Sequence, residues 1–128
     1  MILDTSAIVA IFLRESGFET LVDKVAAAAN LGIGAPTATE TAIVVSARLG
    51  RDGRNLVSQF LHEQDVVVVT FGNDHWRSAA DAYARFGRGR HKAALNFGDC
   101  LAYAVATLAG EPLLAVGRGF RHTDLDLA

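Results

Sequence analysis

The sequence predicts an α/β fold, a three-layer α/β/α sandwich around a mostly parallel sheet. Three observations carry that expectation. Short apolar runs, Ile2-Leu3, Val66–Val69 and Leu113-Leu114-Ala115-Val116, read as buried strands. The longer segments between them place apolar residues at helical spacing. Strand and helix alternate from end to end, which favours parallel strands joined by helical crossovers.

Ile2 and Leu3 form the first strand, and Thr5 and Ser6 are good N-cap residues for a helix continuing to about residue 13. The next helix spans about 18–29, with Phe18, Leu21, Val22 and Val25 on one face and Glu19, Asp23 and Lys24 opposite. A weak strand follows at 31–35, diluted by two glycines. Pro36 and Thr37 open a helix that runs to Leu49, with Thr37 as a candidate cap and Glu40 in the first turn, near the positive end of the dipole. Beyond the polar turn 50–53, Leu56, Phe60 and Leu61 mark another helix ending near Glu63.

Val66–Val69 is the clearest strand, and four consecutive β-branched residues predict burial on both faces. Asn73 or Asp74 caps a helix through Tyr83 and Ala84. A glycine- and base-rich loop, Gly87-Arg88-Gly89-Arg90-His91-Lys92, precedes a helix at 95–109 with almost no polar face, expected to be central. The last strand is 113–116, and 117–128 reads as a polar, irregular tail.

At 128 residues the chain is expected to form one domain, residues 1–128. A net charge of -2 is not that of a strongly basic nucleic-acid binder, so any nucleic-acid contact must come from a local patch. Cys100 is the only cysteine, which excludes an internal disulfide and a cysteine zinc site. No apolar run approaches a membrane span and no signal-peptide pattern opens the chain, so a soluble, cytoplasmic protein is expected.

Three acids stand among apolar or small residues: Asp4 after the first strand, Glu40 early in a helix, and Asp99 in the most hydrophobic helix. Asp4 falls at the carboxyl end of a strand, where open α/β sheets bind ligands. Three carboxylates in one crevice would repel each other, so some would hold protons or a cation would bind. All-oxygen donors select hard ions, Mg²⁺ or Mn²⁺, which activate water and neutralise a phosphodiester. Read from spacing alone, three separate caps are as good an account.

The segments Ile2-Leu3-Asp4-Thr5-Ser6-Ala7, Ala35-Pro36-Thr37-Ala38-Thr39-Glu40-Thr41 and Leu95-Asn96-Phe97-Gly98-Asp99-Cys100-Leu101-Ala102-Tyr103-Ala104, with the ending Pro112-Leu113-Leu114, Gly117, Phe120 and His122-Thr123-Asp124, resemble a PIN-domain ribonuclease of the VapC toxin type. The stretch from Tyr83 to Leu95 resembles the corresponding loop of one VapC subgroup. The resemblance covers essentially the whole chain and implies a PIN-like fold and a Mg²⁺-dependent endoribonuclease toxin, with Mn²⁺ as a substitute. Asp4 and Asp99 map onto its metal-binding aspartates and Glu40 onto its third acid.

The implied partners are an RNA substrate, a cognate VapB-type antitoxin and a second copy in a homodimer. Arg88, Arg90, His91 and Lys92 are candidates to hold RNA phosphates; Thr5 and Ser6 either cap or hydrogen-bond within the site. The family's fourth acid, just before the tail phenylalanine, is Gly119 here, with Arg118 beside it. Asp124 lies nearby but matches a separate family feature. The alternative reading is therefore a PIN-like module that binds antitoxin and RNA but cuts poorly. A phosphoryl-transfer domain with Asp4 as acceptor ranks last: a haloacid-dehalogenase-type site wants a second aspartate where Ser6 stands, and a receiver domain wants its acceptor where Thr70 follows the middle strand.

Overall fold

A computed structural model describes residues 1–128. The strands are β1 (Ile2–Leu3), β2 (Leu31–Gly34), β3 (Val66–Val69) and β4 (Leu113–Leu114). The helices are α1 (Thr5–Phe12), α2 (Phe18–Ala27), α3 (Ala35–Leu49), α4 (Arg54–Glu63), α5 (Asn73–Phe86) and α6 (Phe97–Ala109). All strand pairs are parallel, in the order β3-β2-β1-β4.

The two-residue period of a strand makes the three layers. Ile2 and Leu113 pack under α5 and α6, in a core with Ala82, Phe86, Tyr103 and Phe120. Their neighbours Leu3 and Leu114 point the other way, into a core with Ile8, Val25 and Ile33 that Phe12, Phe60 and Leu61 border. The near-continuous apolar run of α6 is buried from Ala102 to Ala106, so the expectation of a central helix holds. In β2 the glycines have a packing role. A Cβ on Gly34 would lie 2.7 Å from Val105 Cγ2, so α6 sits against bare backbone there.

Two expectations fail. Val66–Val69 is an edge strand; Val67 is 65% exposed and Val68 50% exposed. Four β-branched residues report fit to a pleated backbone, and only strand order decides burial. The tail is not irregular throughout. Gly119–His122 forms a 3-10 turn that buries Phe120. Leu113 N–H then donates to the Asp126 carbonyl (2.9 Å) and Ala128 N–H to the Leu113 carbonyl (2.9 Å), covering the β4 edge.

Candidate active site

β1 is the switch point of the sheet: the chain leaves it for β2 on one side and returns to β4 on the other. Asp4 ends β1 there, and its N–H donates to the Leu114 carbonyl (3.0 Å). Glu40 arrives on α3, directly after β2, and Asp99 on the first turn of α6. All three line one crevice of about 270 Å³, with Thr5, Ser6, Val9, Glu15, Val44, Arg48 and Val116. The structure thus gathers the three acids singled out in the sequence.

Each carboxylate is held by one oxygen. Asp4 is the N-cap of α1: its Oδ2 accepts from Ser6 N–H (3.0 Å) and from Ser6 Oγ. Asp99 Oδ2 accepts from Asn96 N–H (3.0 Å) while Asn96 Oδ1 accepts from Asp99 N–H (2.8 Å), a reciprocal cap. Glu40 Oε1 accepts from Thr5 Oγ1 (2.7 Å). The second oxygen of each makes no hydrogen bond to protein. Capping and a ligand role are therefore compatible, with one oxygen given to each.

The electrostatics are those of crowded, partly desolvated carboxylates. Asp4 is 4% exposed, and burial pushes its carboxyl up to about 6, opposed by the two Ser6 hydrogen bonds and reinforced by Asp99 and Glu40. Asp99 is raised as well, by burial first and by Glu40; the Asn96 N–H and the Arg88 charge oppose this. No Lys or Arg forms an ion pair with any of the three. They do not close around one point as a ready coordination shell. Mg²⁺ does not require that, since it binds through one or two carboxylates and keeps several waters. The donor set fits such an ion.

Several local expectations need correction. Thr5 and Ser6 are the first residues of α1 rather than its caps, and both serve the site: Thr5 fixes Glu40, and Ser6 Oγ bridges Asp4 to the Val116 N–H (2.9 Å). Glu40 is not in the first turn of α3, which begins at Ala35. The helix start it meets is that of α6, where a Cβ on Gly98 would lie 3.0 Å from Glu40 Cδ. Thr37 caps nothing; its hydroxyl is buried without a partner. Gly72, not Asn73 or Asp74, is the N-cap of α5, and its N–H donates to His75 Nδ1 (3.1 Å). Cys100 is a buried core thiol, pushed up to about 11 by burial and Asp99.

The basic loop is ordered and does not act as one unit. It is closed by Leu95 N–H to the Phe86 carbonyl (3.0 Å) and Arg88 N–H to the Leu95 carbonyl (3.0 Å). Arg88 acts electrostatically on Asp99. Arg90 lies over the Tyr83 ring and His91 packs edge-on against Phe86, while Lys92 is exposed. Neither Arg90 nor Lys92 lines the carboxylate crevice.

No replacement for a fourth acid comes from the tail. Gly119 packs on the loop, where a Cβ would stand 2.9 Å from the Ala93 carbonyl oxygen, so an aspartate there must displace backbone. Asp124 is engaged elsewhere, accepting from Tyr103 Oη (2.7 Å) and Arg85 Nη2 (3.0 Å). Those two bonds hold its carboxyl below the usual range, in a pocket beside Gly110 at the opposite end of α6 from Asp99.

A parallel sheet with carboxylates at its switch point, beside a helix N-terminus, defines a class of α/β proteins with an acidic site at the strand ends. A PIN domain profile matches residues 1–125. Ribonuclease VapC36 of Mycobacterium tuberculosis is 44% identical over 127 residues, covering 98% of this chain and 91% of the relative. Ribonuclease VapC of Mycolicibacterium smegmatis is 42% identical over 125 residues, with 98% and 97% coverage. The chain belongs to the PIN domain family, among its VapC proteins. The fold is also that of M. tuberculosis VapC20, a Sarcin-Ricin loop cleaving toxin (TM-score 0.81, 17% identity, 99% and 97% coverage), and of a toxin-antitoxin complex from Klebsiella pneumoniae (TM-score 0.72, 15% identity, 99% and 95% coverage).

Gly98, Glu15 and Arg48 escaped the sequence reading of the site. Gly98, one residue before Asp99 in a helix start, was the available signal, because glycine weakens a helix unless something approaches it closely. Nothing local marks Glu15 or Arg48. No helix is long and apolar enough to cross a membrane.

Proposed function

We propose that this chain is the toxin of a toxin–antitoxin pair and a Mg²⁺-dependent endoribonuclease. The observation that carries the reading is the trio Asp4, Glu40 and Asp99, each anchored by one oxygen, with no cationic side chain paired to any of them. Relatives named ribonuclease support the activity, and the likeness to a toxin-antitoxin complex agrees with a protein antitoxin as partner.

Asp4 and Asp99 would hold the ion through their outward oxygens. The chemistry such an ion supplies when bound is a more acidic water and charge neutralisation at the phosphodiester. Ser6 fixes the rotamer of Asp4, and Asn96 that of Asp99. Thr5 holds Glu40 against the start of α6, and its outer oxygen would be the one to orient an attacking water. Arg88 would supply positive charge for RNA on the Asp99 side, and Arg90 and Lys92 on the same loop would add to it at longer range. A second copy of the chain is the expected occupant of the apolar cleft between α5 and α6, about 560 Å³, lined by Phe71, Trp76, Tyr83, Phe97 and Leu101. Phe97 is 78% exposed there, a projecting side chain beside a cleft that a two-fold mate could fill. Sedimentation of the antitoxin-free chain tests this: a monomer at working concentration removes the dimer.

The test of function is cleavage of RNA by the purified, antitoxin-free protein with Mg²⁺ or Mn²⁺ and with chelator. Millimolar Mn²⁺ is also expected to raise the melting temperature by roughly 3–8 °C through mass action on the folded site. Asp99→Asn should remove that shift. Absence of both the shift and metal-dependent cleavage would overturn the reading. Binding of antitoxin and RNA with only trace cleavage would favour the weakened module, for which the missing acid at Gly119 and the diverted Asp124 are the specific grounds.

A further inference from the structure

We infer that the active-site crevice contains a second anion subsite, Arg48 held in reserve by Glu15, which takes a phosphate of a single-stranded RNA away from the scissile one. The inference rests on the ribonuclease reading and names how that site holds its substrate. Glu40, Val44 and Arg48 occupy one stripe of α3 at i, i+4 and i+8, a rise of about 12 Å, and all three line the crevice that holds Asp4 and Asp99. Val44 lies between Glu40 and Arg48 on that stripe, and Val9 of α1 also lines the crevice. Arg48 is the only cation on that lining, against four carboxylates, Asp4, Glu15, Glu40 and Asp99. A polyanion entering from this side meets repulsion everywhere except at Arg48.

The guanidinium is available. Its partner is Glu15 Oε1 at 3.7 Å, and the two side chains are 55% and 41% exposed. That is too long for a hydrogen bond, and an exposed pair of this kind contributes little. A phosphate offers the same guanidinium two short charge-assisted bonds. Glu15 therefore competes with the substrate for Arg48. The place of Arg48 in the last turn of α3 explains a favourable charge at a helix end, but not its position in the carboxylate crevice.

The probe is a fluorescent 20-nucleotide single-stranded RNA of mixed sequence. Anisotropy is measured in an Asp4→Asn background at several salt concentrations, with steady-state cleavage in the otherwise wild-type chain. Arg48→Gln should weaken binding roughly five- to tenfold near 100 mM salt and reduce the salt slope by about 0.7, raising KM and leaving kcat nearly unchanged. Glu15→Gln should tighten binding, and more strongly with Arg48 present than in the Arg48→Gln chain, where only the relief of carboxylate repulsion remains. Arg48→Lys should keep the slope and lose part of the affinity, which covers the case that Arg48→Gln misfolds. A normal enzyme whose affinity and slope ignore Arg48→Gln overturns the subsite alone. So does a Glu15→Gln gain that is undiminished in the double variant, or an Arg48 effect confined to antitoxin binding. A wild-type chain that neither binds nor cuts RNA overturns the subsite and the ribonuclease reading together.

Discussion

Asp4→Asn is expected to give a protein that is more stable than the wild type in metal-free buffer at pH 7.5 and that has lost at least about 100-fold in RNA cleavage. The stability gain follows from burial. Asp4 is 4% exposed and its carboxyl is pushed from 3.8 up to about 6, chiefly by desolvation and against the pull of Ser6. The folded chain thus binds this proton more tightly than the unfolded chain does. The resulting stability is complete below about pH 4, declines across the window from 3.8 to about 6, and is gone above it. At 1.36 kcal/mol per pKa unit the wild type gives up about 3 kcal/mol by pH 7.5. Asparagine has no charge to desolvate, and its carbonyl oxygen can still cap α1 and accept from Ser6. Urea unfolding with chelator at pH 4.5 and 7.5 should show the wild type weakening more than Asp4→Asn, which keeps only the smaller pH dependence of the raised Asp99. The activity loss follows because removing even an outer-shell partner of a metal ligand typically costs 10–100-fold. Asp4→Asn that cuts RNA at the wild-type rate would remove Asp4 from the proposed metal site.

Gly98→Ala is expected to separate function from stability in the same direction. The position lies in the first turn of α6, where alanine is favoured over glycine by up to about 1 kcal/mol. Its Cβ would fall on the Glu40 carboxylate, 3.1 Å from Oε1 and closer still to Oε2. The obstacle is the end of a flexible side chain, so the fold absorbs it by turning Glu40 out of the crevice, at the expense of the Thr5 hydrogen bond. Cleavage should drop roughly 10- to 100-fold with an unchanged or higher melting temperature. Adding Glu40→Asp, one methylene shorter, should recover part of the rate in the Gly98→Ala chain while lowering it in the wild type. If Gly98→Ala cuts normally, Glu40 does not act from the position seen here.

Much of the fold was legible because its signals are local. β1, β3 and the strand character of 31–34 follow from residues that sit side by side in the chain, and the position of α6 follows from a run in which nearly every residue is apolar. The three acids were legible for the same reason: a carboxylate with apolar neighbours on both sides is conspicuous wherever it ends up. Family membership was also written in short segments, and the profile match over residues 1–125 covers them together.

What the tertiary structure decided is everything that depends on which distant backbone lies next to which. Strand order put β3 at an edge and left Val67 and Val68 in solvent, although their composition is that of a buried strand. The glycine at 34 reads as a weak point of β2 until Val105 is seen against it, and Gly98 as a weak point of α6 until Glu40 is seen there. Asp124, close in the chain to the missing fourth acid, is bound to Tyr103 and Arg85 at the wrong end of α6. Glu15 and Arg48 look like ordinary surface charges in the sequence and meet in the carboxylate crevice only because α1 packs on α3. Backbone propensity and hydrophobic period are properties of neighbouring residues, so the chain alone determines them. Desolvation, close approach and charge pairing are properties of residues far apart in sequence, and these had to wait for the fold.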